Sequence, residues 1–295
     1  MTAGSPPPAD PGLGRFLEIQ NLGLNLPFAL AFLFLASHGA PTVRTTVLVV
    51  VAFVAARNAG HSFNRWADRA LDARNPRTAG RALVTGARSP AFALGFAAAN
   101  AAVLVAAAYL LNPLAFVLAP VALALLFGYS YTKRVTSLTT AFLGLVEAVT
   151  PAAVFVAVRG ALPLPVLTAV AALLAWGTAF ETIHSLGDLE SDRALGLFSV
   201  PVRWGPERSV ALVAGLHAAA LGLLAVFGAL QGLSWPYDAA LVAMALLVAA
   251  TDRRLIARPT ATRVPFDRHV LLGAIYLAGV LLAIFDAPLR ALVLR

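Results

Sequence analysis

The chain has 295 residues, 60% of them hydrophobic and 12% charged, with a formal net charge of +8 and a mean hydropathy of +0.81. A soluble globular domain carries about 25% charged residues, so the composition excludes that class and points to an integral membrane protein. Cysteine is absent, which removes disulfides, zinc–thiolate centres, iron–sulfur clusters and cysteine nucleophiles together.

Residues 1–14, MTAGSPPPADPGLG, hold no basic residue, so they lack the positive start of a secretory signal. They are expected to form a disordered tail ahead of one membrane domain over 15–295. The apolar runs are too long and continuous for the alternating strands of a barrel, so the expected class is all-α. A spanning helix needs about 20 apolar residues. Breaks at Pro, Gly and charge then predict nine transmembrane helices, approximately at 17–37, 42–63, 90–111, 113–131, 138–158, 163–185, 207–230, 238–252 and 268–288. The eighth is short.

The basic residues test this count independently. Arg57, Arg65, Arg69, Arg74, Arg77, Arg81 and Arg88 fall around the second loop. Lys133 and Arg134 follow the fourth span, and Arg193, Arg203 and Arg208 the sixth. Arg253, Arg254, Arg258, Arg263 and Arg268 follow the eighth, and Arg15 precedes the first. These eighteen alternate with loops and a C-terminus holding only Arg44, Arg159, Arg290 and Arg295. The positive-inside rule then puts the N-terminus and the Arg-rich loops in the cytoplasm and the C-terminus outside. Topology and contact with anionic lipid explain the positive charge. No nucleic-acid motif is present, and no nucleic-acid partner is expected.

Two of the Arg-rich loops also carry acids. Asn64, Asp68 and Asp72 recur every fourth residue, so a helix running on from span two puts them on one face, with Arg57 two turns deeper. Pro76 ends that helix, and Arg77 and Arg81 can fold back over the opening. After span six, Asp188 and Asp192 repeat the i, i+4 spacing, followed by Arg193 and Pro201.

Acids at the edge of hydrocarbon are costly and mark function by default. Four carboxylates facing one another suit a hard divalent cation such as Mg²⁺, carried with a phosphorylated substrate. A diphosphate, with about three negative charges, would be repelled by aspartates alone. Divalent ions bridge the two, and arginines or lysines neutralise the rest. Apolar spans beneath such a site suit a lipid tail. The bland alternative is that juxtamembrane charges only anchor helix ends; two matched pairs on one side weigh against it.

At these residues the chain resembles the UbiA superfamily of intramembrane aromatic prenyltransferases. The first motif stands as Asn64-Arg65-Trp66-Ala67-Asp68-Arg69-Ala70-Leu71-Asp72 and the second as Asp188-Leu189-Glu190-Ser191-Asp192. The stretch Tyr129 to Arg134 and the run Ser199-Val-Pro-Val-Arg203 look like the family too. The resemblance implies nine helices around a central cavity with a cytoplasmic cap, in a bacterial inner membrane. It implies that Asn64, Asp68, Asp72, Asp188 and Asp192 hold Mg²⁺ and, through it, a polyprenyl diphosphate. Arg77, Arg81, Lys133 and Arg203 would contact the diphosphate, with Tyr129 beside Lys133. Arg57 would pair an acceptor carboxylate.

The pattern looks most like the 4-hydroxybenzoate and futalosine-pathway menaquinone branches. Arg65 stands where the family motif has its first aspartate. Glu181 and His184 stand where Asp and Tyr are commoner, and Glu181 keeps a carboxylate able to serve as base. The implied reaction is Mg²⁺-dependent transfer of a polyprenyl group to an aromatic hydroxy acid in ubiquinone or menaquinone biosynthesis. Transfer to a haem, chlorophyll or tocopherol-type head group is the neighbouring alternative. A secondary transporter is the alternative from another class, for which Glu147, inside span five, is the main feature. His61 reads as a packed interfacial residue, and Asn25 as facing the bundle interior.

Overall fold

The computed structural model of the protein describes residues 12, 16, 19–260 and 266–293. Apart from Gly12, the expected N-terminal tail lies outside these residues, as do Arg15, Arg263 and Arg295.

After a 3₁₀ turn at Ile19–Leu24, the helices in chain order are α1 Leu26–Ala36, α2 Val43–Asp72, α3 Pro90–Leu111, α4 Pro113–Thr132, α5 Thr139–Arg159 and α6 Val166–Gly187. Then come two short helices, α7 Leu189–Ala194 and α8 Val200–Trp204, followed by α9 Pro206–Leu230, α10 Trp235–Ala257 and α11 Phe266–Val293. The boundaries follow local chemistry. Pro occupies the first turn of α1, α3, α4, α8, α9 and α10, where its missing N–H costs nothing. The Thr42, Ser89 and Asn112 side chains accept from the N–H of Thr45, Phe92 and Ala115 and so cap α2, α3 and α4. Asn112 also donates to the carbonyls of Val156 and Ala157, tying the α3–α4 corner to the end of α5. Gly160, at φ +64°, closes α5 in the left-handed conformation.

Among the described residues, seven helices are long and apolar enough to cross a membrane: α2, α3, α4, α5, α6, α9 and the 267–286 part of α11. The first expected span is represented by the 3₁₀ turn and the 11-residue α1, which is shorter than a crossing requires. The eighth expected span falls on α10, which is longer than expected, with Pro236 in its first turn, but is not among those seven. The chain is an integral membrane protein.

Neighbouring helices pack in chain order, α2 on α3, α4 on α5, α5 on α6, α6 on α9 and α10 on α11. α11 returns to α1, and α1 also lies against α5, which closes the ring. An aromatic knot seals the closure. Phe28 stacks on Tyr276 at 5.0 Å, and Phe32 meets Phe227 edge-on at 5.9 Å. The Tyr237 hydroxyl, fully buried, donates to the Leu224 carbonyl at 2.8 Å, satisfying a polar atom that would otherwise be costly there.

α5 and α6 approach through glycine. A Cβ on Gly177 would lie 2.9 Å from the Gly144 Cα and 2.5 Å from Glu147 Oε2, so only glycine permits that crossing.

Candidate active site

Three loops meet at one end of the bundle. The turns over 73–89 carry Asn75, Arg77 and Arg81. The link 133–138 carries Lys133 and Arg134, and the segment 188–205 holds α7 and α8. The second and third are stitched together by the Phe198 N–H, which donates to the Lys133 carbonyl at 2.9 Å, and the second is tied to α2 by Arg134 Nη2, which donates to the Ala67 carbonyl at 2.6 Å.

Beneath them lies a cavity of 330 Å³. Its lining includes five carboxylates, Asp68, Asp72, Glu181, Asp188 and Asp192, and five bases, Arg57, Arg65, Arg77, Arg81 and Lys133. Asn64 and Tyr129 join them. Eleven of the twelve residues singled out from the sequence therefore meet on one cavity. Arg203 is the exception: it sits on α8, exposed, and is not part of the lining.

The α2 face is as the spacing requires. Asn64 Nδ2 donates to Asp68 Oδ2 at 3.0 Å and approaches Ser130 Oγ at 3.4 Å. Asp68 is buried and gripped by two cations, Lys133 Nζ at 2.8 Å and Arg134 Nη2 at 3.0 Å. Asp72 is buried and pairs with Arg81 at 2.6 Å. The second pair differs from the sequence expectation. α6 runs to Gly187 and then breaks, so Asp188 sits between α6 and α7 with φ −102° and ψ 3°. The i, i+4 link survives as the backbone bond from the Asp192 N–H to the Asp188 carbonyl, 2.8 Å.

Arg77 bridges the two motifs, donating Nε to Asp188 Oδ1 at 2.7 Å and Nη2 to Oδ2 at 2.5 Å. Asn75 Nδ2 adds a bond to the same carboxylate at 3.3 Å, and its own side-chain oxygen accepts from the Arg77 N–H. The Asp188 carboxylate holds the Arg77 guanidinium above its ordinary pKa, against burial. Burial pushes the Asp192 carboxyl up to about 6, with Asp188 adding repulsion and Lys133 opposing it.

Sequence reasoning missed Asn75 and Ser130. It used Arg134 only for topology and for the family-like stretch, although that side chain grips Asp68. His61 lines the cavity and accepts from Arg65 Nε at 3.2 Å, so it is a cavity residue as well as an interfacial one. Among the described residues, no three carboxylates or imidazoles converge closely enough to share a metal ion. Asp68, Asp72 and Asp188 are each held by a cation instead.

Two further chambers continue inward. One of 220 Å³ shares Asn25, Arg57, His61, Asn64, Tyr129 and Leu143 with the mouth and adds Glu147. The next, of 140 Å³, shares Phe53, Ala56, Leu126 and Val146 with it and is otherwise walled by Val, Leu, Ala and Thr150.

Residues 25–272 match the UbiA prenyltransferase family. The chain belongs to that family. It is a membrane prenyltransferase, and the transporter alternative falls away. A 4-hydroxybenzoate octaprenyltransferase of Nitrosomonas eutropha is 32% identical over 251 residues, covering 85% of this UbiA chain and 87% of the relative. One of Cupriavidus metallidurans is 34% identical over 189 residues, and that match covers 64% of each chain. The apo structure of a UbiA homologue from Aeropyrum pernix is 32% identical and superposes with a TM-score of 0.81 over 90% of this chain and 98% of that one. A UbiA homologue from Archaeoglobus fulgidus bound to GPP and Mg²⁺, 20% identical with a TM-score of 0.70, covers 92% and 98% and shares the fold.

Proposed function

We propose that this UbiA protein transfers a polyprenyl group from its diphosphate to an aromatic hydroxy acid of the 4-hydroxybenzoate type, with a divalent metal. One observation carries the reading. Two aspartate pairs from helix ends more than a hundred residues apart line a single cavity with Lys133, Arg77 and Arg81. That cavity continues into an apolar chamber.

The donor set is chemically suited to Mg²⁺. Asp68, Asp72, Asp188, Asp192 and the Asn64 amide bring hard oxygens to one cavity, and these residues would hold the ion once the cations that now pair Asp68, Asp72 and Asp188 turn away. The lining is formally balanced, five acids against five bases. A diphosphate brings about three negative charges, so one or two divalent ions restore balance. When bound, Mg²⁺ supplies Lewis-acid stabilisation of the departing diphosphate.

The chain's own residues do the rest. Arg77, Arg81 and Lys133 now neutralise carboxylates; on binding they turn to phosphate oxygens, which accept their N–H groups as well. Tyr129 closes the wall beside them. The prenyl tail lies in the apolar chamber, away from water that would quench an allylic cation. Arg57 pairs the acceptor carboxylate. The allylic C–O bond breaks with its electron pair leaving on diphosphate. Ring π electrons form the new C–C bond, and a base removes the ring proton. Glu181, about 10 Å along α6 from Asp188 and in the cavity lining, is the carboxylate we propose as that base.

We read the active domain as 15–295, crossing a bacterial inner membrane nine times under a cap of the three loops, with the 3₁₀ turn and α1 together as the first crossing and α10 as the eighth beside the seven long apolar helices. The N-terminus and acidic loops are cytoplasmic. The alternation of eighteen basic residues against four supports this orientation.

The deciding experiment offers 4-hydroxybenzoate and a hydroxynaphthoate in parallel to membranes with labelled polyprenyl diphosphate and Mg²⁺, with EDTA as control. Metal-dependent product from 4-hydroxybenzoate is expected. Product formed equally in EDTA overturns the metal; product from the naphthoate alone reassigns the acceptor.

A further inference from the structure

The middle chamber contains a carboxylate that the mechanism above does not use. Glu147 lies on α5 eight residues past Thr139, about 12 Å into the bundle. An acid at that depth is costly unless satisfied. Among the described residues Glu147 has one hydrogen bond, from Asn25 Nδ2 to Oε1 at 3.3 Å, and no ion pair. That bond is longer than the usual N–H···O distance of about 2.9–3.0 Å. Gly177 makes room for the other oxygen, since any Cβ there would strike Oε2. The carboxylate is thus accommodated by the helix crossing and faces the chamber incompletely satisfied. Past it, the wall of α5 turns apolar through Val149, Ala153 and Ala157.

Arg57 lines the same 220 Å³ chamber from α2. A cation and a carboxylate on different helices suit a ligand with an acid at one end and a hydrogen-bond donor at the other. We propose that Glu147, steadied by Asn25, accepts a hydrogen bond from the acceptor's ring hydroxyl and selects acceptors that carry such a donor. This rests on the acceptor class proposed above. The contact also suits the chemistry, because a hydroxyl donating to a carboxylate pushes electron density into the ring carbon that attacks. It orients the ring by both ends, Arg57 holding the carboxylate and Glu147 the hydroxyl.

The test compares binding of 4-hydroxybenzoate with that of 4-fluorobenzoate, a close analogue that cannot donate. Full-length protein in detergent or nanodiscs serves, as wild type, Glu147→Gln and Asn25→Ala. Wild type is expected to prefer the hydroxy acid by about tenfold or more, as loss of a buried hydrogen bond to a charged group implies. Glu147→Gln should shrink that ratio severalfold and raise KM for the acceptor, with KM for the prenyl diphosphate unchanged. Asn25→Ala, acting from α1, should shrink it in the same direction. A purely structural role would lower the unfolding temperature and leave the ratio alone. An unchanged ratio in both variants overturns the inference while the proposed function stands. Failure of wild type to bind or prenylate 4-hydroxybenzoate overturns both.

Discussion

Arg77 and Asp188, 111 residues apart, form a two-bond fork, Nε to Oδ1 at 2.7 Å and Nη2 to Oδ2 at 2.5 Å. It clasps the loop after α2 to the end of α6. Arg77 is 59% exposed and Asp188 18%, so solvent screens the pair and its worth to stability is small, about 1 kcal/mol or less. Its proposed value is as a cation ready to move to a phosphate. Arg77→Lys keeps the charge but loses the planar fork. The expected result is a KM for prenyl diphosphate raised about tenfold, the worth of one charge-assisted hydrogen bond, with the unfolding temperature nearly unchanged. Steady-state kinetics beside a thermal unfolding scan check both halves.

Asp68 is a harsher position. Its side chain is 3% exposed, and Lys133 and Arg134 both bind it. Asp68→Asn leaves two cations facing a neutral amide. Because both cations are about one-third exposed, the stability cost is discounted to about 1–3 kcal/mol. Activity is expected to fall further, by at least about a hundredfold, and excess Mg²⁺ should not rescue it. Recovery of near wild-type turnover at high Mg²⁺ would argue that Asp68 contributes only metal affinity and that its pairing with Lys133 and Arg134 is dispensable.

Metal affinity is expected to depend on pH through Asp192. Its carboxyl is pushed up to about 6 by burial and by Asp188. Protons and metal compete for the ionised form, so affinity is nearly full at pH 7 and falls as pH drops through 6. At pH 5 the apparent Mg²⁺ dissociation constant should be about tenfold higher than at pH 7.5. The stability effect has the opposite sense. The fold binds this proton more tightly than the unfolded chain does, so the contribution favours the fold at acid pH and is lost as pH rises through about 6. Mg²⁺ titrations at several pH values in wild type and Asp192→Asn separate this residue from its neighbours.

The legible parts of this protein were local ones. Asn64, Asp68 and Asp72 share a face because a helix imposes that spacing, and Pro76 and the Pro residues opening six helices mark where helices stop and start. The alternation of arginines carried the loop assignment. What escaped the sequence was set by contacts between distant elements. Asn75 reads as a turn residue until its amide is seen on Asp188. Asn25 and Glu147 stand 122 residues apart, and nothing in either neighbourhood announces the other. Arg203 matched a motif, yet α8 turns it outward, because the two-residue hydrophobic anchor Val200 and Pro201 faces the interior instead. The break at Asp188 was invisible because Leu189–Ala194 is itself good helix sequence.

The α5–α6 crossing gives a prediction with its own control. At Gly177 an added methyl would lie 2.5 Å from Glu147 Oε2 and 2.9 Å from the Gly144 Cα. The obstacle on one side is backbone, which cannot swing away. Gly177→Ala is therefore expected to destabilise by about 1–3 kcal/mol, the usual cost of overpacking a close contact, and to raise KM for the acceptor by displacing Glu147. Gly95, within α3, has nothing within 4 Å of an added Cβ. There Gly95→Ala should leave activity intact and stabilise by up to about 1 kcal/mol through helix propensity. Thermal unfolding of both variants in one detergent, beside acceptor kinetics, checks the contrast. Equal stability of the two variants would mean that the helices separate easily at Gly144 and Gly177 and that the glycine contact does not hold Glu147 in place.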